Sequence, residues 1–197
     1  MERFILEIPD AISKETCKEL IEAFEASEHV ATSKLENQTT GKSQVARDVR
    51  DCDELTFSGK PELAQLDKVL YDSLISGFNT YTEKILIPDQ NHLPYNQFSS
   101  VHFQMMRYPP GSGGYKFHID ELTIKGVGTR TLSFIWYLND LPVDHGTDFR
   151  AVDRTVKPET GKLLIFPSGW CWQHRGLPTK QTKYIVTSWL MGALVHS

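Results

Sequence analysis

The stretch Met106 to Asp120, MRYPPGSGGYKFHID, ends in His-x-Asp. In an extended strand, residues i and i+2 project to the same face, so His118 and Asp120 stand side by side while Ile119 points away. Two such side chains are part of what a non-haem ferrous site of the facial type needs. That site takes two neutral imidazoles and one carboxylate on one side of the ion and leaves the opposite positions open. A third ligand must come from elsewhere in the chain. The tripeptide alone is weak, because with seven His in the chain, chance supplies on the order of one such match.

The second half of the pattern lies downstream. His174 follows His118 by 56 residues, just after the apolar run LLIFPSGWCWQ, and Lys183 stands nine residues further on at the start of the last strand, KYIVTSWLM. If that strand pairs beside the one carrying His174, the ammonium sits deeper in the same cavity as the metal. A buried lysine needs a counter-charge. A dicarboxylate would supply it, with one end on the metal and the distal carboxylate on Lys183.

Several elements must position these residues. Phe4 to Ile8 alternates as a short strand broken by Pro9-Asp10, and Ser13 caps a helix over 14–27 with Cys17, Leu20, Ile21 and Phe24 on its apolar stripe. Residues 30–57 are polar and lack a long apolar period, which predicts a loop or lid with a short strand near Val45 to Arg50; Arg47 and Arg50 there are read first as solvated charges. Pro61 opens a second helix whose stripe runs Leu63, Leu66, Leu70, Leu74, Phe78, Tyr81 and Ile85, bent or weakened at Gly77 and closed by Pro88 to Asn91. From Ser99 the texture changes to strands: Val101 to Met106, Arg130 to Leu138, Thr147 to Val152, Lys162 to Phe166 and Tyr184 to Met191. Helices first and many short strands afterwards predict an α+β chain, a β-sandwich or barrel supported by two helices.

Bulk composition excludes some classes. A chain of 197 residues predicts one domain. Its net charge of -4 argues against a strong electrostatic footprint for nucleic acid. Cys17, Cys52 and Cys171 have neither the spacing of a zinc site nor that of a redox pair, and read as reduced thiols of a cytoplasmic protein. The opening MERFILEIPDAISKE does not have the pattern of a signal peptide, and no window approaches the length of a membrane span.

In order, Tyr108 to Gly111 (Y-x-x-G), Tyr115 to Asp120 (Y-x-x-H-x-D), Tyr137 to Asp140 (Y-L-N-D), Pro158 to Phe166 (P-x-x-G-x-L-L-x-F), His174 to Pro178 (H-x-G-x-P) and Lys183 to Trp189 (K-x-x-x-x-x-W) resemble the Fe(II)/2-oxoglutarate-dependent dioxygenases, in their prolyl 4-hydroxylase-like branch. The resemblance spans residues 104–191. It implies a double-stranded β-helix, a jelly-roll-like barrel, with residues 1–95 as helical support and lid and 96–197 as the catalytic barrel core of a single domain. It implies His118, Asp120 and His174 as Fe(II) ligands, and Lys183 as the anchor of the 2-oxoglutarate C5 carboxylate with Tyr108 as a second donor. Ser133 falls where the family often has a Thr facing the cosubstrate, and Tyr115, Arg130 and Trp189 match positions on the substrate side. The implied cofactors are Fe(II), 2-oxoglutarate as cosubstrate and O₂, with ascorbate dependence common in the family.

Two segments depart from the family pattern. His145-Gly146-Thr147-Asp148-Phe149 replaces the usual G-G-E-T-x-F, and the loop from Tyr108 to Tyr115 is one residue longer. Both bear on the substrate more than on the metal.

The implied reaction is hydroxylation of an aliphatic C–H, coupled to oxidative decarboxylation of 2-oxoglutarate to succinate and CO₂. Related halogenases lose the carboxylate ligand, so the presence of Asp120 favours hydroxylation. The branch suggests a peptidyl proline, with loop 30–57 and the segment ELTIKGVGTR after Asp120 folding over it. A free amino acid or other small molecule is the alternative substrate. A barrel that only captures a ligand is the non-catalytic alternative, and nucleic-acid demethylation is disfavoured by the absence of a basic stripe. The remaining histidines His92, His102 and His145 are read as surface or core residues, and Trp136, Trp170, Trp172 and Trp189 as core or rim aromatics.

Overall fold

Ser13 accepts a hydrogen bond from the Thr16 amide at 3.0 Å and so caps the first helix as its sequence position predicts. The computed structural model describes residues 1–36, 42–85, 97–100, 102–111 and 113–193. In chain order, β1 (Leu6–Ile8) precedes α1 (Lys14–Ala26); four short strands follow, β2 (Ala31–Thr32), β3 (Leu35–Glu36), β4 (Ser43–Gln44) and β5 (Asp53–Thr56). The second helix, α2, covers Ala64–Ile85 after a 3-10 turn at Pro61–Leu63. Then come β6 (Gln97–Ser100), β7 (Gln104–Tyr108), β8 (Tyr115–His118), β9 (Thr123–Ile124), β10 (Gly128–Tyr137), β11 (Thr147–Phe149), β12 (Arg154–Val156), β13 (Leu163–Pro167), β14 (His174–Gly176) and β15 (Lys183–Ala193).

Two antiparallel sheets dominate. The larger runs β1-β13-β10-β15-β7-β5-β2, with β6 also on β15 and β9 on β10; the smaller runs β12-β11-β14-β8. A third pairing joins β3 to β4. One hydrophobic cluster combines Leu20 and Phe24 of α1, Leu70 and Leu74 of α2, and Phe134, Trp136, Leu163, Ile165 and Val186 of the large sheet. A second combines Ile135, Tyr137, Leu164 and Phe166 of the large sheet with Phe149 and Val156 of the small one. Alternate residues of β10 and β13 therefore serve different cores, which is why LLIF reads as an unbroken apolar run: both faces of that strand are covered. Where a strand's inward face turns polar, at Ser133, Lys183 and Thr187, it faces neither helix.

Gly77 has a packing reason. A Cβ there would lie 2.7 Å from Leu163 Cδ2, so the missing side chain lets α2 approach β13. α2 continues through this position to Ile85 as one element.

Some expectations need correction. Phe4 belongs to a 3-10 turn over Glu2–Phe4, and only Leu6–Ile8 is strand. Residues 45–50 form no strand; the lid segment has its strands on either side, and Arg50 makes only an isolated bridge to Tyr115. β11 stops at Phe149, short of Val152, because the chain turns there and reaches a left-handed residue at Asp153. β8 ends at His118, so Asp120 follows the strand instead of lying within it. The expected helix closure at Pro88 to Asn91, His92 and Val101 lie outside the described residues.

Candidate metal centre and cosubstrate pocket

His118 and His174 face each other across the β8–β14 pair, in direct register. Each ring turns its Nδ1 to a backbone carbonyl two residues back, Lys116 O at 2.8 Å and Trp172 O at 3.0 Å. A carbonyl can only accept, so Nδ1 carries the proton and Nε2 keeps its lone pair for a metal. Asp120 lies between them, with Oδ1 3.4 Å from His118 Nε2 and Oδ2 3.6 Å from His174 Nε2. The three ligand atoms fall within 4.8 Å of one another, a spacing that one ion can bridge. Phe166 meets the His174 ring edge-on at 4.7 Å, and Tyr115 stacks on His118 at 3.6 Å, so packing fixes both imidazoles.

The local electrostatics suit a divalent cation. Burial alone would raise the Asp120 carboxyl; the facing His174 and His118 imidazoles and the hydrogen bond from Ser133 outweigh it and hold the group below the ordinary carboxylate range. Burial pushes His174 down to about 4, against the opposing pull of Asp120. At neutral pH the centre therefore offers an ionised carboxylate beside a neutral His174 imidazole, the state that metal binding requires.

All three side chains line a cavity of about 1120 Å³ between the sheets. Lys183 lines it too, although its strand does not pair with the strand of His174 as the sequence reading supposed. β15 lies in the large sheet between β10 and β7, and β14 in the small one, so the two residues reach the cavity from opposite walls. Lys183 is 3% exposed, and its Nζ donates to the carbonyls of His145 and Leu177, each at 3.0 Å. Among the described residues no carboxylate pairs with it. Burial accordingly lowers the ammonium to about 8, with only the nearby Cys52 pulling the other way.

The other expected residues divide. Tyr108 sits beside Lys183, whose Nζ is 4.9 Å from its ring centroid; its hydroxyl points to Met106 Sδ at 3.4 Å, and burial pushes it well above the usual phenol range. Ser133 is not among the cavity-lining residues; its hydroxyl donates to Asp120 Oδ2 at 2.7 Å and meets Ser168 Oγ at 2.9 Å, an arrangement that orients the carboxylate. Arg130 and Trp189 both line the cavity and stack on each other, with the guanidinium carbon 3.7 Å from the ring centroid. Of the other tryptophans, Trp136 and Trp172 are buried in the core, and Trp170, 74% exposed, lines the cavity at its rim. His102 is exposed and His145 buried.

Sequence reasoning missed Tyr137 and Thr147, which line the cavity and share a 2.7 Å hydrogen bond. The signal was available for Tyr137, since it lies on the same face of β10 as Ser133 by the alternation of a strand. It missed Thr187 and Gln104, paired across β15 and β7 in the cavity wall, and undervalued Arg50, which lines the cavity with its guanidinium 5.3 Å from the Tyr115 ring. Arg47 instead ion-pairs with Asp51 outside it.

The family model of the 2OG-Fe(II) oxygenase superfamily matches residues 103–191. No curated protein sequence matches the chain. Among solved structures, the viral collagen prolyl hydroxylase of Paramecium Bursaria Chlorella virus-1, in its 2OG complex, has a TM-score of 0.69 at 18% identity, covering 96% of this chain and 97% of that one. A Pseudomonas putida prolyl-4-hydroxylase has a TM-score of 0.66 at 19% identity, with 96% and 93% covered. A Trichoplax adhaerens prolyl hydroxylase, in complex with a hypoxia inducible factor peptide fragment, has a TM-score of 0.73 at 16% identity, with 96% and 84% covered. At these identities the likeness is one of fold. Among the described residues no helix is long and apolar enough to cross a membrane.

Proposed function

We propose that this chain, an oxygenase whose residues 103–191 belong to the 2OG-Fe(II) oxygenase superfamily, hydroxylates an aliphatic C–H of a prolyl residue in a peptide or protein. The observation that carries the reading is Lys183, a buried ammonium without an anionic partner among the described residues, lining the same cavity as His118, Asp120 and His174. A burial that costs so much is explained by a ligand that brings the missing charge. The two-sheet architecture is read as the double-stranded β-helix of this superfamily, and residues 1–197 as one domain, with 1–95 as support and lid.

His118 Nε2, one Asp120 oxygen and His174 Nε2 would hold Fe(II), and Lys183 would meet the distal carboxylate of 2-oxoglutarate. When bound, the pair supplies oxidative decarboxylation with O₂, whose products are succinate and CO₂. The chain's own work is positional. Ser133 orients Asp120. Met106, Ile135 and Ile185 give the cavity wall an apolar part that excludes water. Tyr115, Arg130 and Trp189 form the side toward the substrate, and Lys34, Leu35 and the segment Ile119 to Lys125 border the opening as a lid would. A peptide substrate is supported by the fold shared with a hydroxylase whose structure holds a peptide.

Succinate release from 2-oxoglutarate tests this. The reading expects release that requires Fe(II), rises with proline-containing peptides and is lost in His174→Ala. No release above background with peptides or free amino acids would leave a barrel that only captures ligands. Release stimulated by free amino acids and not by peptides would move the substrate to a small molecule.

A further inference from the structure

The protein carries a net charge of -4, yet the cavity wall carries the cations Lys34, Arg50, Lys125, Arg130 and Lys183 against the carboxylates Asp120 and Glu121. Asp120 is committed to the metal centre and Lys183 to the cosubstrate. That leaves four cations and Glu121 around the part of the cavity a substrate would occupy. Arg50 is partly satisfied, donating to the Lys34 carbonyl at 2.8 Å and to Glu54 at 3.3 Å. Arg130 is not: its guanidinium lies on the Trp189 ring with no carboxylate at ion-pair distance among the described residues.

A second observation is independent of charge. Trp189 Nε1 and Thr187 Oγ1 are buried and have no hydrogen-bond partner among the described residues, and the same holds for Arg130 Nε and Arg50 Nε. All four residues line this cavity, and Trp189 and Thr187 are only 6% and 8% exposed. Buried donors without partners are rare in folded proteins unless a ligand completes them. A neutral aliphatic group would leave them unmet. A carboxylate accepts several hydrogen bonds at once and is matched by the guanidinium fork.

We infer that the substrate presents a carboxylate, which Arg130 binds with Trp189 and Thr187 beside it and with Arg50 across the opening. The inference rests on the proposed reading of this cavity as the substrate site and narrows its substrate class. The carboxylate comes either from an acidic side chain near the target residue of a peptide or from the free α-carboxylate of a small substrate or chain end. The chemistry at Arg130 is the same for both.

Calorimetric binding to the full chain separates the possibilities, because it does not depend on turnover. The protein is loaded with Mn(II) and 2-oxoglutarate without O₂. The probes are matched pairs: L-proline against L-prolinamide, and an end-blocked Ala-Ala-Pro-Ala-Ala peptide against the same peptide with Asp beside the proline. In at least one pair the carboxylate member is expected to bind about tenfold or more tightly. The preference should shrink with added salt, fall to near parity in Arg130→Gln and partly survive in Arg130→Lys. Thr187→Val, which keeps the shape of the wall, should weaken the carboxylate member alone. The pair that shows the preference identifies the source. Equal or tighter binding of the neutral member in both pairs overturns the inference, as does a preference unchanged in Arg130→Gln. Preferential binding in a protein that never forms succinate would sink the hydroxylase reading and leave the carboxylate site standing.

Discussion

The Ser133 hydroxyl donates to Asp120 Oδ2 at 2.7 Å, from a strand that carries none of the three ligand-type residues. Ser133 is itself backed by Ser168, so a short chain of hydroxyls holds the Asp120 carboxylate with Oδ1 toward His118 and Oδ2 toward His174. Removing the donor in Ser133→Ala should weaken metal binding about tenfold or more, the usual effect of losing a partner behind a ligand. Titration with Mn(II) reads this directly. Affinity for 2-oxoglutarate at saturating metal should hardly change, an outcome that a general folding defect would not give.

Lys183→Met is expected to separate stability from function. Burial lowers the ammonium from its ordinary 10.5 to about 8 on folding, so the folded state binds its proton less readily than the unfolded chain. Burying the charged form therefore costs roughly 3 kcal/mol at neutral pH, and the cost fades as pH rises from about 8 toward the unfolded value. The ligand-free Met variant should melt higher than the parent at pH 7 and lose that advantage near pH 10, while 2-oxoglutarate binding disappears. Thermal denaturation at the two pH values, with and without the ligand, checks both halves.

If Lys183 anchors the cosubstrate as proposed, the same group should set a pH dependence on its binding. A bound dicarboxylate raises the Lys183 pKa, so binding takes up a proton once the free protein has lost it. Affinity for 2-oxoglutarate should be full below about pH 8 and fall above it by about tenfold per unit. Calorimetry in buffers of different ionisation heat should show proton uptake above pH 8 and little near pH 6.5.

Gly146, within the segment His145 to Phe149, has no room for a side chain. A Cβ at this position would collide with the carbonyl oxygen of Val156 and touch that of Val143 at 3.0 Å, both of them backbone atoms that cannot swing aside. Its neighbours are the His145 carbonyl that holds Lys183 and Thr147 in the cavity wall. Gly146→Ala should cost about 3 kcal/mol of stability. It should also weaken 2-oxoglutarate binding, measured by denaturant unfolding and ligand titration on the same preparation.

Residues whose chemistry needs a fixed local spacing were the most legible in the sequence. His118 and Asp120 stand two residues apart, and Ser13 is marked by its place before an apolar period. What depended on non-local pairing was not. Nothing near Lys183 says that its strand lies in the sheet opposite His174, because partner choice is made by residues far along the chain. Ser133 was named only through the family resemblance, and its contact with Asp120 depended on where the chain after β8 returned. Arg50 sat in a polar segment with no period, so its place in the cavity wall had no signature at all.

The most direct test of the central claim is anaerobic titration of the protein with Fe(II) and 2-oxoglutarate, followed by visible absorption. The account expects the weak charge-transfer band of a 2-oxo acid chelated to ferrous iron, absent in His174→Ala and shifted to much higher 2-oxoglutarate concentration in Lys183→Met. No band in the parent protein at saturating concentrations of both would contradict it, and would mean that His118, Asp120, His174 and Lys183 share a cavity without sharing this chemistry.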